Sequence, residues 1–452
     1  MNRFRAALTF LSQFSPGSSR GSGTGESSPF YDRLGLSFIK GTAFIAILLL
    51  CILPAACNDD SQEGQPLEGI ILIVGDGMGL SLISQASLEK GTALNLERMP
   101  VVGLQKTSSA TGSVTDSAAA ITAILTGKKT YNEWIGMDTN GNPIPSIFEI
   151  AKERHWNTAI ISTSSVTHAT PAGAFAHVRD RDSEESIARQ IAENPPDILI
   201  GGGRNYFLKG LNGPNQNALK SPIEILQKTH SISLSYSDFM NSSCDSLCLD
   251  GESVDRIVAL LADNHLPPVD PSHKLDYKKD SGSSSTLQKD SIIHSISKSD
   301  DLRIGADPRS RQGYLELASE RSLRTLQTMG GPFLMLIEGS QIDWGGHANK
   351  ADYAVTELRD LDETLGALLK ELEGRNVLIV VTADHETGGH AVLSGKPGEK
   401  QKVGFLTHGH SAEMVPVFAY GPGAETFSGI YENTEIFHKL LAVMEATPAI
   451  SH

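Results

Sequence analysis

Three runs in this chain carry no polar side chain: Gly-Ile-Ile-Leu-Ile-Val at 69–74, Phe-Leu-Met-Leu-Ile at 333–337 and Val-Leu-Ile-Val-Val at 377–381. A strand with one wet face alternates apolar and polar residues. Runs rich in β-branched residues without that alternation are what strands covered on both faces require. Two stretches of helical period lie near the second and third runs, 314–329 and 352–372. The latter carries Tyr353, Val355, Leu358, Leu361, Leu365 and Leu368 along one stripe. Shorter apolar runs at 158–163, 197–203 and 415–420 read as further strands. Buried strands alternating with helices predict an α/β fold, a three-layer α/β/α sandwich around a central, mostly parallel sheet.

Each run leads into residues that can carry chemistry. Gly-Asp-Gly-Met-Gly after the first run puts Asp76 in a turn at the strand's carboxyl end, the edge where open α/β sheets hold ligands. The second run leads into Glu338, Asp343, Trp344 and His347, on a segment that reads as a loop because of the paired Gly345 and Gly346. The third leads into Asp384 and His385. A cap needs one acid, and two acids with a histidine behind one strand exceed that need, so a functional site is expected here. Thr170 comes after His168 and precedes Pro171, which predicts extended backbone at another strand end. His408 and His410 precede the strand at 415–420. Thr115, Asp116 and Ser117 open a helix-forming run. Alone they read as a cap, although a serine in a first helical turn also faces unpaired amides and a field that favours an anion. Arg179 and Arg181, interleaved with Asp180 and Asp182, read as a solvated face unless one guanidinium turns inward as a fork. Asp/His sets suit zinc and a Thr/Glu/Asp oxygen set suits magnesium. Together these groups suggest a multi-metal hydrolase with a serine at its centre.

The net charge of −15 over 452 residues argues against nucleic acid as a specific partner. It also repels anionic substrates at long range, so a phosphate site would need its own positive field from metals or arginine. At the N-terminus, Arg3, Arg5, Arg20, Arg33 and Lys40 precede an apolar run at 41–53 and then Ala55, Ala56 and Cys57. That order describes an export signal over 1–57, and the run is too short for a comfortable membrane span. It resembles a bacterial lipoprotein signal in which Cys57 takes the lipid, with Pro54 where such signals usually carry Leu. The expected location is the periplasm or the cell envelope, with a lipid on Cys57 as the membrane link. Residues 58–66 read as a tether and 67–445 as the catalytic domain. Within that domain, 205–308 reads as an insertion, because 274–301 is rich in Ser, Lys and Asp with little apolar periodicity; it is expected to be a variable flap. Two of the four cysteines belong to the signal, and Cys244 and Cys248 are expected to form a disulfide.

Six motifs occur in order over about 68–425: Val-Gly-Asp-Gly-Met-Gly (74–79), Thr-Asp-Ser-Ala-Ala (115–119), His-Ala-Thr-Pro (168–171), Glu-Gly-Ser-Gln-Ile-Asp (338–343), Thr-Ala-Asp-His (382–385) and His-Ser-Ala (410–412). They resemble the motifs of the alkaline phosphatase family. The resemblance implies hydrolysis of small phosphate monoesters through a phosphoserine at Ser117. It assigns a first zinc to Asp343, His347 and His410, and a second to Asp76, Asp384 and His385, the second also binding Ser117. A magnesium falls to Asp76, Thr170 and Glu338. Arg181 would grip the phosphate, with Arg179 as the alternative, and Asp116 would orient it. His168 and Trp344 would support phosphate binding, and His168 stands where members carry Asp or His. Trp344 stands where better-known members carry Lys or His, which removes a contact to the phosphate. A homodimer is the assembly to test. A phosphodiesterase of the same superfamily is the alternative activity. A sulfatase would need a Cys-x-Pro-x-Arg-like segment, which Ser117 followed by three alanines is not. A phosphate- or metal-binding protein with an inert site would lack a reason for the complete nucleophile and ligand set.

Overall fold

The unbroken apolar runs lie in neighbouring strands of a ten-stranded sheet. In the computed structural model the described residues are 66–209, 220–270, 272 and 304–446; the expected export signal, with Cys57, falls outside them. The strands are Gly69–Gly75 (β1), Val101–Lys106 (β2), Asn157–Ser165 (β3), Ile198–Gly202 (β4), Ser231–Ser233 (β5), Ile257–Leu260 (β6), Phe333–Gly339 (β7), Val377–Thr382 (β8), Val415–Tyr420 (β9) and Gly429–Glu432 (β10). Their order across the sheet is β10-β2-β9-β8-β1-β7-β3-β4-β6-β5. Only β9 runs against its neighbours. β1 lies between β8 and β7, with Val74 opposite both Thr382 and Glu338. This register brings Asp76, Glu338 and Asp384 out at about the same level on the carboxyl edge.

Alternation along β1 sends Ile70, Leu72 and Val74 into one core and Ile71 and Ile73 into the other. Each such side chain contributes about 1.5–3 kcal/mol on burial. The first core is closed by Ser117–Thr126 (α1), through Ile121, Ile124 and Leu125, and by Thr434–Glu445 (α5), through Ile436 and Leu440. The second is closed by Tyr314–Met329 (α2) and Ala351–Glu371 (α4), through Leu315, Leu323, Leu358 and Leu365. Gln341–His347 (α3) precedes α4 and carries part of the site. Among the described residues no helix is long and apolar enough to cross a membrane.

Three expectations change. The described part of 205–308 is not a flap: β6 pairs in parallel with β4 on one side and β5 on the other. An uncovered β4 would leave a row of unpaired amides and carbonyls, and these strands satisfy it. Arg204, buried after β4, reinforces the join by bonding Asp263 at 2.7 Å and Asp307 at 2.8 Å. The segment after β7 is helical, not a loop. Its glycines serve close packing, since a Cβ on Gly345 would sit 2.5 Å from the Ala354 backbone nitrogen. Thr170 belongs to a single helical turn, Ala169–Ala172, where Pro171 loses nothing because first-turn amides have no helical partner. Cys244 and Cys248 are disulfide-bonded, with Cα atoms 6.3 Å apart.

Candidate active site

Ser117 begins α1, and the stretch does cap a helix. Asp116 caps the helix, its Oδ1 accepting the Ala119 amide at 2.9 Å. Ser117, only 2% exposed, turns its hydroxyl to within 3.1 Å of His385 Nε2. The second oxygen of Asp116 accepts the Glu133 amide at 2.9 Å and Arg181 Nη1 at 3.3 Å. Glu133 has φ 72, a left-handed conformation uncommon for a residue with a side chain, and in it the amide faces Asp116. Arg181 Nη2 donates to His168 Nε2 at 3.1 Å. Arg179 points elsewhere, to the Gly141 carbonyl and over the Trp134 ring. Arg181 is therefore the inward arginine.

Three sets of donors lie beside this serine, each with atoms within 4.8 Å of one another: Asp343, His347 and His410; Asp76, Asp384 and His385; and Asp76, His168 and Glu338. The helix brings Asp343 and His347 onto one face, four residues apart, with His347 Nε2 3.3 Å from Asp343 Oδ2. His410 Nε2 lies 3.1 Å from His347 Nε2. The far nitrogens of these rings meet backbone carbonyls: His347 Nδ1 that of His408, and His410 Nδ1 that of Thr115 at 2.8 Å. With each Nδ1 proton held by its carbonyl, loss of the Nε2 proton would turn each Nε2 lone pair inward, as a metal ligand requires. His168, expected only as phosphate support, comes together with Asp76 and Glu338, and the Thr170 hydroxyl is buried without a hydrogen-bond partner.

The electrostatics point the same way. Both oxygens of Asp76, Glu338 Oε1 and Asp384 Oδ2 are buried without a hydrogen-bond partner. Burial, and then the charges of Asp384, Asp343 and Glu338, push the Asp76 carboxyl well above its ordinary range. Burial, partly offset by the Gly77 amide, pushes Asp384 up to about 7. Burial also opposes ionisation of Asp343, but the hydrogen bond and charge of His347 outweigh it and hold that carboxyl low. His385 and His168 are held well below the ordinary range, first by burial and then by the neighbouring positive charge of His410 and Arg181 respectively. Buried acids and neutral imidazoles with inward lone pairs form a set that cations would satisfy.

Some participants had no clear signal in the sequence. Thr387 donates to Asp343 Oδ1 and lies 3.3 Å from His385 Nδ1. Ser162 and Ser164 donate to Glu338 Oε2; the buried run of Ser, Thr, Ser and Ser that closes β3 after Ala159, Ile160 and Ile161 is the available hint. His265, from the region that reads as an insertion, stands edge-on to Trp344 with ring centres 4.8 Å apart. An isolated histidine outside any periodic segment gives no warning of this.

A serine at a helix N-terminus, an inward arginine and three donor sets on the carboxyl edge of an α/β sandwich define a metal-dependent hydrolase. The alkaline phosphatase family model matches residues 68–400 and 391–446, and the chain belongs to that family. It is 26% identical to alkaline phosphatase 3 of Bacillus subtilis, over 91% of this chain and 96% of that protein. It is 27% identical to the tissue-nonspecific isozyme of Rattus norvegicus, over 82% of each. Among solved structures, the alkaline phosphatase of the Antarctic bacterium TAB5 superposes with a TM-score of 0.66 at 34% identity, covering 84% of this chain and 98% of that one. The protein is thus a phosphatase, and the fold expected from the apolar runs is the one found.

Proposed function

We propose that the protein hydrolyses phosphate monoesters through a phosphoserine at Ser117, using two zinc ions and one magnesium. Asp343, His347 and His410 would hold one zinc, Asp76, Asp384 and His385 the other, and Asp76, Thr170 and Glu338 the magnesium. The observation that carries this reading is the group of buried carboxylate oxygens without hydrogen-bond partners around the Ser117 hydroxyl. The donor types fit: mixed carboxylate and imidazole for zinc, oxygen for magnesium. His168 beside the third set adds a nitrogen. A TAB5 alkaline phosphatase variant with aspartate in place of a histidine has magnesium bound in its M3 site, which supports a link between such a residue and the third metal. The bound cations would supply positive charge that favours an ionised serine and stabilises the transferring phosphoryl group.

The chain's own residues account for the remainder. Ser117 Oγ, its proton released to solvent, bonds to phosphorus as the bond to the leaving alcohol oxygen breaks. That oxygen takes a proton from water, and the hydroxide left behind is neutralised by the proton the serine released. Arg181, anchored by Asp116 and His168, meets the non-bridging oxygens, and the first amides of α1 face the same charge. Water then attacks the phosphoserine, freeing the serine and inorganic phosphate. The leader at 1–57 supports action outside the cytoplasm, in the periplasm or on the envelope through Cys57.

The test compares p-nitrophenyl phosphate with bis-p-nitrophenyl phosphate at alkaline pH. Faster turnover of the monoester, loss with chelator and recovery with zinc plus magnesium are expected. Preference for the diester would make the enzyme a phosphodiesterase. Undiminished activity in Ser117→Ala would remove the serine from the mechanism.

A further inference from the structure

His265 reaches the phosphate side of the site from the region after β6. Its segment is tied on two sides: the Gly203 amide donates to the Asn264 carbonyl at 2.6 Å, and Gln341 of α3 donates to the Leu266 carbonyl at 2.7 Å. The Ser165 amide, at the end of β3, donates to His265 Nδ1 at 3.0 Å. Nδ1 is therefore an acceptor, and the neutral ring carries its proton on Nε2. The ring stands edge-on to Trp344, with centres 4.8 Å apart and planes at 70°, and to His168, at 5.5 Å and 87°. His168 and Trp344 are edge-on to each other at 6.3 Å and 89°. Edge-to-face contacts of this kind favour particular ring planes.

The His168 plane matters because Arg181 has two anchors, Asp116 on Nη1 and His168 Nε2 on Nη2. One anchor leaves a guanidinium free to pivot, whereas two fix the plane of its fork. His168 Nδ1 has no hydrogen-bond partner, so within the polypeptide its plane is set by Arg181 and by the rings packed against it.

We propose that His265 is a positioning residue for phosphate recognition. By fixing the planes of His168 and Trp344, it holds the Arg181 guanidinium in the orientation that meets the non-bridging oxygens of a phosphate monoester or of inorganic phosphate. The inference rests on the phosphatase reading of the site. His265 itself acts through His168, and the segment that delivers it is the part of the chain whose sequence reads as decoration.

The experiment uses the full chain loaded with zinc and magnesium, and compares wild type, His265→Ala and His265→Asn. The asparagine oxygen replaces Nδ1 as acceptor for the Ser165 amide. His265→Ala is expected to raise KM for p-nitrophenyl phosphate and the inhibition constant of inorganic phosphate about tenfold, the scale of losing a supporting residue behind a ligand. The fall in kcat is expected to be smaller, with melting temperature and zinc content as in wild type, and His265→Asn should recover part of the affinity. An unchanged phosphate inhibition constant in His265→Ala would overturn the proposal. So would a joint loss of stability, kcat and KM that His265→Asn fails to restore. A wild-type protein inactive on p-nitrophenyl phosphate would instead sink the phosphatase reading. Calorimetric binding of inorganic phosphate to the same three proteins would then still decide the role of His265, by whether affinity falls in His265→Ala.

Discussion

Asp116 performs two tasks with one carboxylate, capping α1 through Oδ1 and holding Arg181 through Oδ2. The two separate on substitution. Asp116→Ala is expected to cost about 1 kcal/mol for the lost cap and to weaken phosphate binding. Asp116→Asn keeps an acceptor for the cap while losing the charge on the arginine side. Thermal melts alongside KM for p-nitrophenyl phosphate test this, and equal destabilisation by both substitutions would count against it. The buried acids make a second prediction. Asp384 is held near 7 in the folded chain against an ordinary value of 3.8. Between those values this carboxyl therefore binds more proton in the folded, metal-free protein than in the unfolded chain, and its contribution to stability falls as pH rises. Asp76 shifts in the same direction. His385 and His168, held below the ordinary 6.5, act in the opposite sense over the lower part of that range, so the contribution of Asp384 is read by difference. Between about pH 6 and pH 8 chelated wild type should lose melting temperature relative to chelated Asp384→Asn; parallel pH profiles for the two proteins would contradict it. Asp76, Asp343, Asp384 and His385 are legible in the sequence because each comes after an apolar strand. His265 is not, since its contacts with Trp344 and His168 exist only once distant segments have met.

At the scale of elements, periodicity identifies the long helices, whereas glycines mislead. α2 spans the residues of helical spacing, and α4 nearly so. α3 reads as a loop because Gly345 and Gly346 break helical preference. The same residue also permits close approach, and what α3 approaches, α4 and Thr387, is not written in its own sequence. Gly345→Ala should therefore drive α3 away from α4 at a cost of about 1–3 kcal/mol. It should also lower zinc affinity, because Asp343 and His347 move with the helix. Metal titration followed by melting would show both losses, and a stable variant with unchanged zinc binding would refute the packing argument. β6 escapes notice for a different reason. Ile-Val-Ala-Leu is too short to stand out, and its pairing with β4 is a tertiary fact.

At the scale of the molecule, the sheet is less modular than the sequence suggests. Deleting 220–270 would remove β5 and β6, expose the edge of β4, and strip Arg204 of its Asp263 partner. The truncated chain is expected to be insoluble or unfolded by circular dichroism; a folded, active product would show that these strands are dispensable. The opposite edge carries another consequence, for the order in which the chain can fold. β2 comes early in the sequence, yet its sheet partners are β9 and β10: Gln105 pairs with Val415, and Lys106 with Glu432. Until the last strands have left the ribosome, β2 has no neighbour and β8 has an open side. Closing so long a loop is entropically slow and favours populated intermediates. The chain can therefore remain incompletely folded through most of its synthesis, with its C-terminal strands acting as the final clasp.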